Sequence, residues 1–303
     1  MAFDPRRPFS RSEALAAGLS DWQLRSQQRL HRDVYVGAGV PVDTRIRALA
    51  ALRMAPQGSL AARHTAALLL GGVVPEPAMV HLLVPGGRLR AQGVDARPGR
   101  PARRAWMGDI PVTTAEDTFI DLRSELGLVD LVVLGDSLVR RGRTTPEALR
   151  DAAADATGAQ APTLRRAAGL VRPGVDSPTE SKLRLLVLLA GLPEPVVNHT
   201  EYDERGWVVR RFDLSWPGHR LAVEYDGRQH AESQRQWEHD VTRREGLDTD
   251  GWRLVVVLAK GLYREPARTL ERVVQAMHDV GLDASVTSDE WRVYFPDRSR
   301  VLP

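Results

Sequence analysis

The sequence contains no cysteine among its 303 residues. That excludes a disulfide framework and any thiolate-ligated zinc. Lysine is nearly missing as well. Lys182 and Lys260 are the only two, so almost all positive charge is arginine. The first ten residues, MAFDPRRPFS, hold no apolar signal core. The most apolar region, Ala48 to Val74, is interrupted by Arg53, Arg63 and His64, which excludes a membrane span there. No internal repeat is visible. These absences lead to the expectation of a soluble, cytoplasmic protein.

What is present is ordinary globular composition in a chain too long for one typical domain, so two or three are expected. Charge is unevenly placed. Residues 1–174 carry 24 arginines against 17 carboxylates, an excess of seven, and residues 175–303 carry 18 basic against 22 acidic groups, a deficit of four. A basic front half favours a polyanion such as DNA, and arginine forks suit phosphates and guanine edges. A GC-rich genome explains the arginine-to-lysine ratio equally well. It does not explain the asymmetry.

The segment FSRSEALAAGLSDWQLRSQQRLHRDVYVGAG carries two helix starts. Ser10 precedes Glu13 by three residues and Ser20 precedes Gln23 by three, two capping boxes in succession. The first helix is expected to stop at Gly18 and the second to run to about Arg29. Ala14, Gly18 and Leu24 have helix-turn-helix spacing, and LHRDVYVGAG reads as a wing. The second helix would then present Asp21, Gln23, Arg25, Gln27 and Gln28 to a DNA groove, with Arg32 beside them on the wing. The plainer reading is a helical hairpin that only packs or binds protein. Residues 43–70 read as two helices, with His64 a structural or surface residue on the second. The loop GGRLRAQGVDARPGRPARR holds six arginines against Asp95 and either touches phosphates or serves solubility. Thr113 or Thr114 caps a helix. The Ala/Gly/Thr/Pro-rich stretch near 151–163 reads as linker.

The last third reads α-β-β-β-α-β-α: a helix from Ser177 to Gly191, a strand with VVNHTEY, two strands in VVRRFDLSWPGHRLAVEYDGRQH, a polar helix over 231–245, the strand WRLVVVLAK and a closing amphipathic helix. Strand side chains alternate faces, so Glu224 and Asp226 share one, and Asp213 approaches them across the Pro-Gly turn. Carboxylates gathered on a half-buried sheet repel one another, and a hard divalent cation relieves that repulsion. Mg²⁺ or Mn²⁺ is the expected ion, and phosphodiester hydrolysis the expected chemistry.

This set resembles the PD-(D/E)xK nuclease superfamily and, within it, the very-short-patch-repair (Vsr-like) endonuclease branch and its bacterial relatives. The matching positions are Asp213, then Glu224, Asp226, Gly227 and His230, then Asp240 and Arg243, then Gly251, Trp252 and Arg253, across roughly residues 175–280. The resemblance implies that Asp213 is the central metal ligand, Glu224 its partner, and Glu180 the first-helix acid. Glu180 is equally readable as a capping-box glutamate of Ser177. Asp226 stands where the wider superfamily keeps lysine, which leaves His230 as general acid or base and Lys182 or Lys260 as a source of charge. Asp240 and Arg243 are supporting residues, or a surface ion pair. The front half, residues 8–150, is similar to AbiEi-type antitoxins.

The implied fold class is multi-domain α/β. A winged helix-turn-helix over 1–42 is followed by a small α/β domain over 43–150, a linker over 151–174, a restriction-endonuclease-like core over 175–281 and a tail over 282–303, expected as a strand or loose. The implied function is a Mg²⁺-dependent DNA endonuclease targeted by the front domain. The alternatives are a DNA-binding regulator or antitoxin with an inactive nuclease fold, and an interaction module for a cognate toxin protein.

Overall fold

The computed structural model describes residues 3–87, 89–99, 103–227 and 250–297. It is a mixed α/β chain of two compact units, Met1–Val171 and Arg172–Pro303. Among the described residues, no helix is long and apolar enough to cross a membrane.

The first unit begins with strand β1 (Phe9–Ser10), helices α1 (Arg11–Ala16) and α2 (Asp21–Arg25), and strands β2 (Gln28–His31) and β3 (Val34–Val36). The strands form a small sheet in the order β1-β3-β2. Both capping boxes form as their spacing predicts: Ser10 and Glu13 exchange bonds, and so do Ser20 and Gln23. Each such cap is worth about 1 kcal/mol. Gly18 takes φ +89° in the turn, and Ala14 and Leu24 bury against Phe9. The second helix, however, does not reach Arg29. It ends at Arg25, because Ser26 Oγ and Gln27 Nε2 both donate to the Gln23 carbonyl and occupy the acceptor of the last turn. Gln28 already belongs to β2.

A second sheet follows, built from β4 (Leu60–Ala61), β5 (Val80–Val84), β6 (Val94–Pro98), β7 (Arg104–Met107) and β8 (Ile110–Thr113) in the order β6-β5-β4-β8-β7. Helices α3 (Thr44–Met54) and α4 (Arg63–Leu69) flank it. Asp43 caps α3 by accepting from Ile46 N, and Thr114 caps α5 (Ala115–Asp121) by accepting from Asp117 N. Then come α6 (Leu128–Arg140), α7 (Pro146–Ala154) and α8 (Ala161–Leu170). Residues Leu128 to Leu138 of α6 are buried almost without a break, the mark of a helix enclosed on all sides.

The expected linker over 151–174 is therefore corrected. Most of it is the end of α7 and all of α8, and Leu164, Ala167, Ala168 and Val171 are fully buried. Alanines that read as low-complexity linker are small because the helices approach closely. Gly135 of α6 makes the same point, since a Cβ there would collide with Val171.

The second unit contains α9 (Pro178–Leu189) and strands β9 (Val196–Tyr202), β10 (Val208–Trp216), β11 (Leu221–Asp226) and β12 (Arg253–Leu258) in the order β12-β11-β10-β9. The first three run antiparallel in succession, and β11 and β12 are parallel. The chain between β11 and β12, including the helix expected over 231–245, lies outside the described residues apart from its ends. A short helix, Ala259–Tyr263, and the amphipathic helix Pro266–Asp279 complete the unit. The latter buries Leu270, Val273, Ala276 and Met277, at the spacing of one helix face. Among its described residues, the tail folds back without becoming a strand. Thr287 N and Ser288 N donate to the Ala190 carbonyl, and Ala284, Trp291 and Phe295 are buried.

Candidate functional site

The hairpin of β10 and β11 pairs from Trp216↔Leu221 to Leu214↔Val223. The next residue along each strand is Asp213 on β10 and Glu224 on β11. There the ladder changes character: Tyr225 N donates to Asp213 Oδ2 at 2.9 Å, so a carboxylate takes a strand N–H. This ties the Asp213 side chain to the neighbouring strand. On its other flank β10 pairs Phe212↔His199 and Leu214↔Val197, which leaves Asn198 beside Asp213. Asn198 has φ +50°, a left-handed conformation that turns it out of the strand pattern. Its Nδ2 donates to the Gly174 carbonyl and, at 3.1 Å, to Glu180 Oε2.

Glu180 is buried in the first turn of α9. Its N–H donates to Ser177 Oγ, but its carboxylate does not return to Ser177. It accepts from Asp176 N at 3.0 Å and from Asn198. Glu180 thus links α9 to β9, and the residues Glu180, Asn198, Asp213 and Glu224 follow one another across the start of α9 and three strands. Asn198 was not foreseen from the sequence. Its only signal is residue type, asparagine being a side chain that tolerates the left-handed region.

Asp226 ends β11 opposite Leu258. It lines a cleft of about 470 Å³ with Lys260, Glu265, Arg268 and Arg272. Lys260 Nζ pairs with Glu265 Oε1 at 2.7 Å, and Arg272 donates to the Val256 carbonyl. Lys260 thus shares a cleft with Asp226. The Lys182 ammonium instead sits 5.5 Å from the centre of the Tyr263 ring. The Tyr225 phenol is held above its ordinary pKa, chiefly by burial and further by Tyr263 and Asp226. His230, Asp240 and Arg243 lie outside the described residues.

The expected DNA-reading residues divide. Gln23 is spent on its capping box. Gln27 Oε1 accepts from Ala38 N, and Gln28 Nε2 donates to the carbonyls of Gly37, Ala38 and Val40. Both glutamines fasten the strand ends of the small sheet, which corrects their expected place on an exposed helix face. Arg25 and Arg32 are exposed. Arg25 lines a shallow cleft with Arg11, Asp21, Arg29 and Tyr35.

A third cluster was missed because its members are far apart in the chain. Among the described residues, His64, His81 and Glu125 form the one trio of His, Asp or Glu side chains whose ligand atoms lie within 4.8 Å of one another. His64 is on α4 rather than at the open surface, and its side chain is 12% exposed. Burial, reinforced by the nearby Arg63 charge, pushes the His81 imidazole down to about 4, and burial lowers His64 as well. In both, burial favours the neutral imidazole.

No protein-family model matches the chain. Two proteins of Mycobacterium tuberculosis are similar to it: "Uncharacterized protein MT2308" of strain CDC 1551 / Oshkosh and "Uncharacterized protein Rv2248" of strain ATCC 25618 / H37Rv. Each is 29% identical over 225 residues, which span 72% of this chain and 80% of theirs. Among solved structures, the RV2827C protein of M. tuberculosis aligns over 67% of this chain and 86% of its own, at 16% identity and a TM-score of 0.40. At that distance the likeness bears on neither fold nor function. A match of 225 residues is longer than either unit alone, so the similarity to the two mycobacterial proteins runs through both units.

Proposed function

We propose that the second unit is a divalent-metal-dependent DNA endonuclease domain, brought to its substrate by the helix pair and small sheet at the N-terminus. The observation that carries this reading is the pairing of β10 with β11, which carry Asp213 and Glu224, while Glu180 on α9 and Asn198 on the neighbouring β9 bond each other. Two hard carboxylate donors suit Mg²⁺ or Mn²⁺, and Asp213 and Glu224 are the residues that would hold the ion. Such an ion supplies a water of lowered pKa and charge relief at the leaving oxygen. The chain's own part is to bind and orient. Lys260, Arg268 and Arg272 offer guanidinium and ammonium groups for phosphate oxygens beside Asp226. Arg25 and Arg32, both exposed, would contact backbone phosphates from the first unit. His230 would exchange the proton at the attacking or leaving oxygen.

Two points favour a second reading, a DNA-binding regulator with an inactive nuclease fold. Asp213 already accepts a strand N–H, and the nuclease resemblance puts Asp226 where a catalytic lysine is expected. A plasmid assay separates the two. Supercoiled DNA is incubated with Mg²⁺ or Mn²⁺ and either the wild-type protein or Asp213→Ala. Nicking by the wild type that falls at least about 100-fold in the variant supports the endonuclease, in line with the loss of a group that acts in the transition state. Equal nicking by both proteins removes Asp213 from the site. No nicking by either, with retained DNA binding in a gel-shift assay, leaves the regulator.

A further inference from the structure

His64, His81 and Glu125 come from α4, β5 and the turn after α5, three places that the fold brings together around one point. His81 is 6% exposed, and its Nδ1 has no hydrogen-bond partner among the described residues. A buried imidazole nitrogen left in that state is costly and calls for a partner. His64 Nδ1 is also buried without a geometrically sound hydrogen bond, although it lies 3.3 Å from Glu125 Oε2. The two imidazole centres are 5.3 Å apart.

The donor atoms of the trio lie within 4.8 Å of one another, and one pair already has the spacing of a tetrahedral ion. Zinc–ligand bonds of about 2.0–2.1 Å put adjacent donor atoms about 3.3 Å apart. His64 and Glu125 already have that spacing. The carboxylate is oriented for it from behind. Arg63 donates to Glu125 Oε1 at 2.8 Å and Arg97 at 3.3 Å, so the oxygen that faces His64 is Oε2. Arg63 is itself fixed by Asp95 Oδ2 at 2.6 Å. Two arginines and two carboxylates cancel, so an incoming cation meets a locally neutral shell. A simple His64–Glu125 ion pair explains less, because it leaves the His81 nitrogen unpartnered.

We propose that His64, His81 and Glu125 form a Zn²⁺ site in the first unit, with the fourth position open to water. Two imidazoles and one carboxylate are a zinc-type donor set, distinct from the all-carboxylate chemistry proposed for the second unit. The ion fastens α4 to β5 and to the turn at Glu125.

The test uses the full chain. Protein stripped with a chelator is titrated with Zn²⁺ against a chromogenic chelator, and bound metal is counted by mass spectrometry. One zinc per chain is expected, with affinity reduced more than about tenfold in His64→Ala and in Glu125→Gln and unchanged in Asp213→Ala. Co²⁺ loaded in its place should give the visible absorption of a four-coordinate ion, lost in His64→Ala. His81→Ala opens a hole in the core, so His64→Ala, on the more accessible ligand, is the deciding variant once circular dichroism shows it folded. Absence of saturable zinc binding by the wild type overturns the proposal. So does equal affinity in His64→Ala and Glu125→Gln, or loss of zinc in Asp213→Ala alone, which would assign the ion to the second unit.

Discussion

Arg63 permits a sharp test of how the first unit holds together. Two unusual facts meet at this residue. Its side chain is 6% exposed while bonded to Asp95 and Glu125, and its backbone has φ +47° in the left-handed region. The two facts predict effects of opposite sign. Removing one partner of a buried ion pair costs about 3–5 kcal/mol. Here the carboxylates are about a quarter exposed, and Arg97 still reaches both of them. Water and the second cation soften the loss, so Arg63→Ala should cost about 2–3 kcal/mol. Glycine at the same site loses the same side-chain bonds but relieves the left-handed backbone, worth about 1 kcal/mol. Arg63→Gly should therefore be the more stable of the two variants by about 1 kcal/mol, although it has the smaller side chain. Urea unfolding of the full chain measures both, with hydrogen exchange of the β5 amides assigning the change to the first unit. An alanine variant within about 0.5 kcal/mol of wild type would refute the buried-pair argument. A glycine variant no more stable than alanine would refute the backbone argument.

Other outcomes follow from single contacts. Gly135→Ala should lower stability by about 1–2 kcal/mol in thermal unfolding, despite alanine's higher helix propensity, because its Cβ would strike Val171 and press on Leu149 and Phe119. Gly169→Ala on α8, where a Cβ meets nothing within 4 Å, should raise stability by up to about 1 kcal/mol. Glu13 is held at a pKa of about 2, chiefly by the hydrogen bond from Arg53, against an ordinary 4.5. A depressed carboxylate stabilises above the unfolded pKa and loses that contribution as pH falls through the folded one. With Glu13 half exposed, Glu13→Gln should cost less than about 1 kcal/mol at pH 7, and the gap in melting temperature should close near pH 2. A gap that is constant with pH would remove the ion pair as its cause.

Features governed by short-range chemistry were the legible ones. Ser-x-x-Glu and Ser-x-x-Gln name their own hydrogen bonds, and both capping boxes form. The alternation in LAVEYD and the turn at Pro217–His219 set the β10–β11 pairing on local grounds alone. Features decided by distant partners were not legible. Gln27 and Gln28 suit a helix, yet carbonyls ten residues downstream draw Gln28 into the small sheet. The alanines of α8 have the composition of a linker, and only the closeness of α6 makes them core. Asn198 and the trio of His64, His81 and Glu125 depend on contacts between elements far apart in sequence, which no local spacing encodes.

Val171 closes the first unit by filling the notch that Gly135 leaves on α6. The last residue of one unit is thus a structural plug, and the next residue opens the other unit. In evolutionary terms this narrows where the chain can be cut and rejoined. An exchange of second units that breaks upstream, at the alanine-rich stretch that looks like a hinge, would carry away α8 and leave α6 open to water. One that breaks after Val171 would leave the first unit whole. Chimaeras of this lineage should therefore have their joints clustered within a residue or two of position 172.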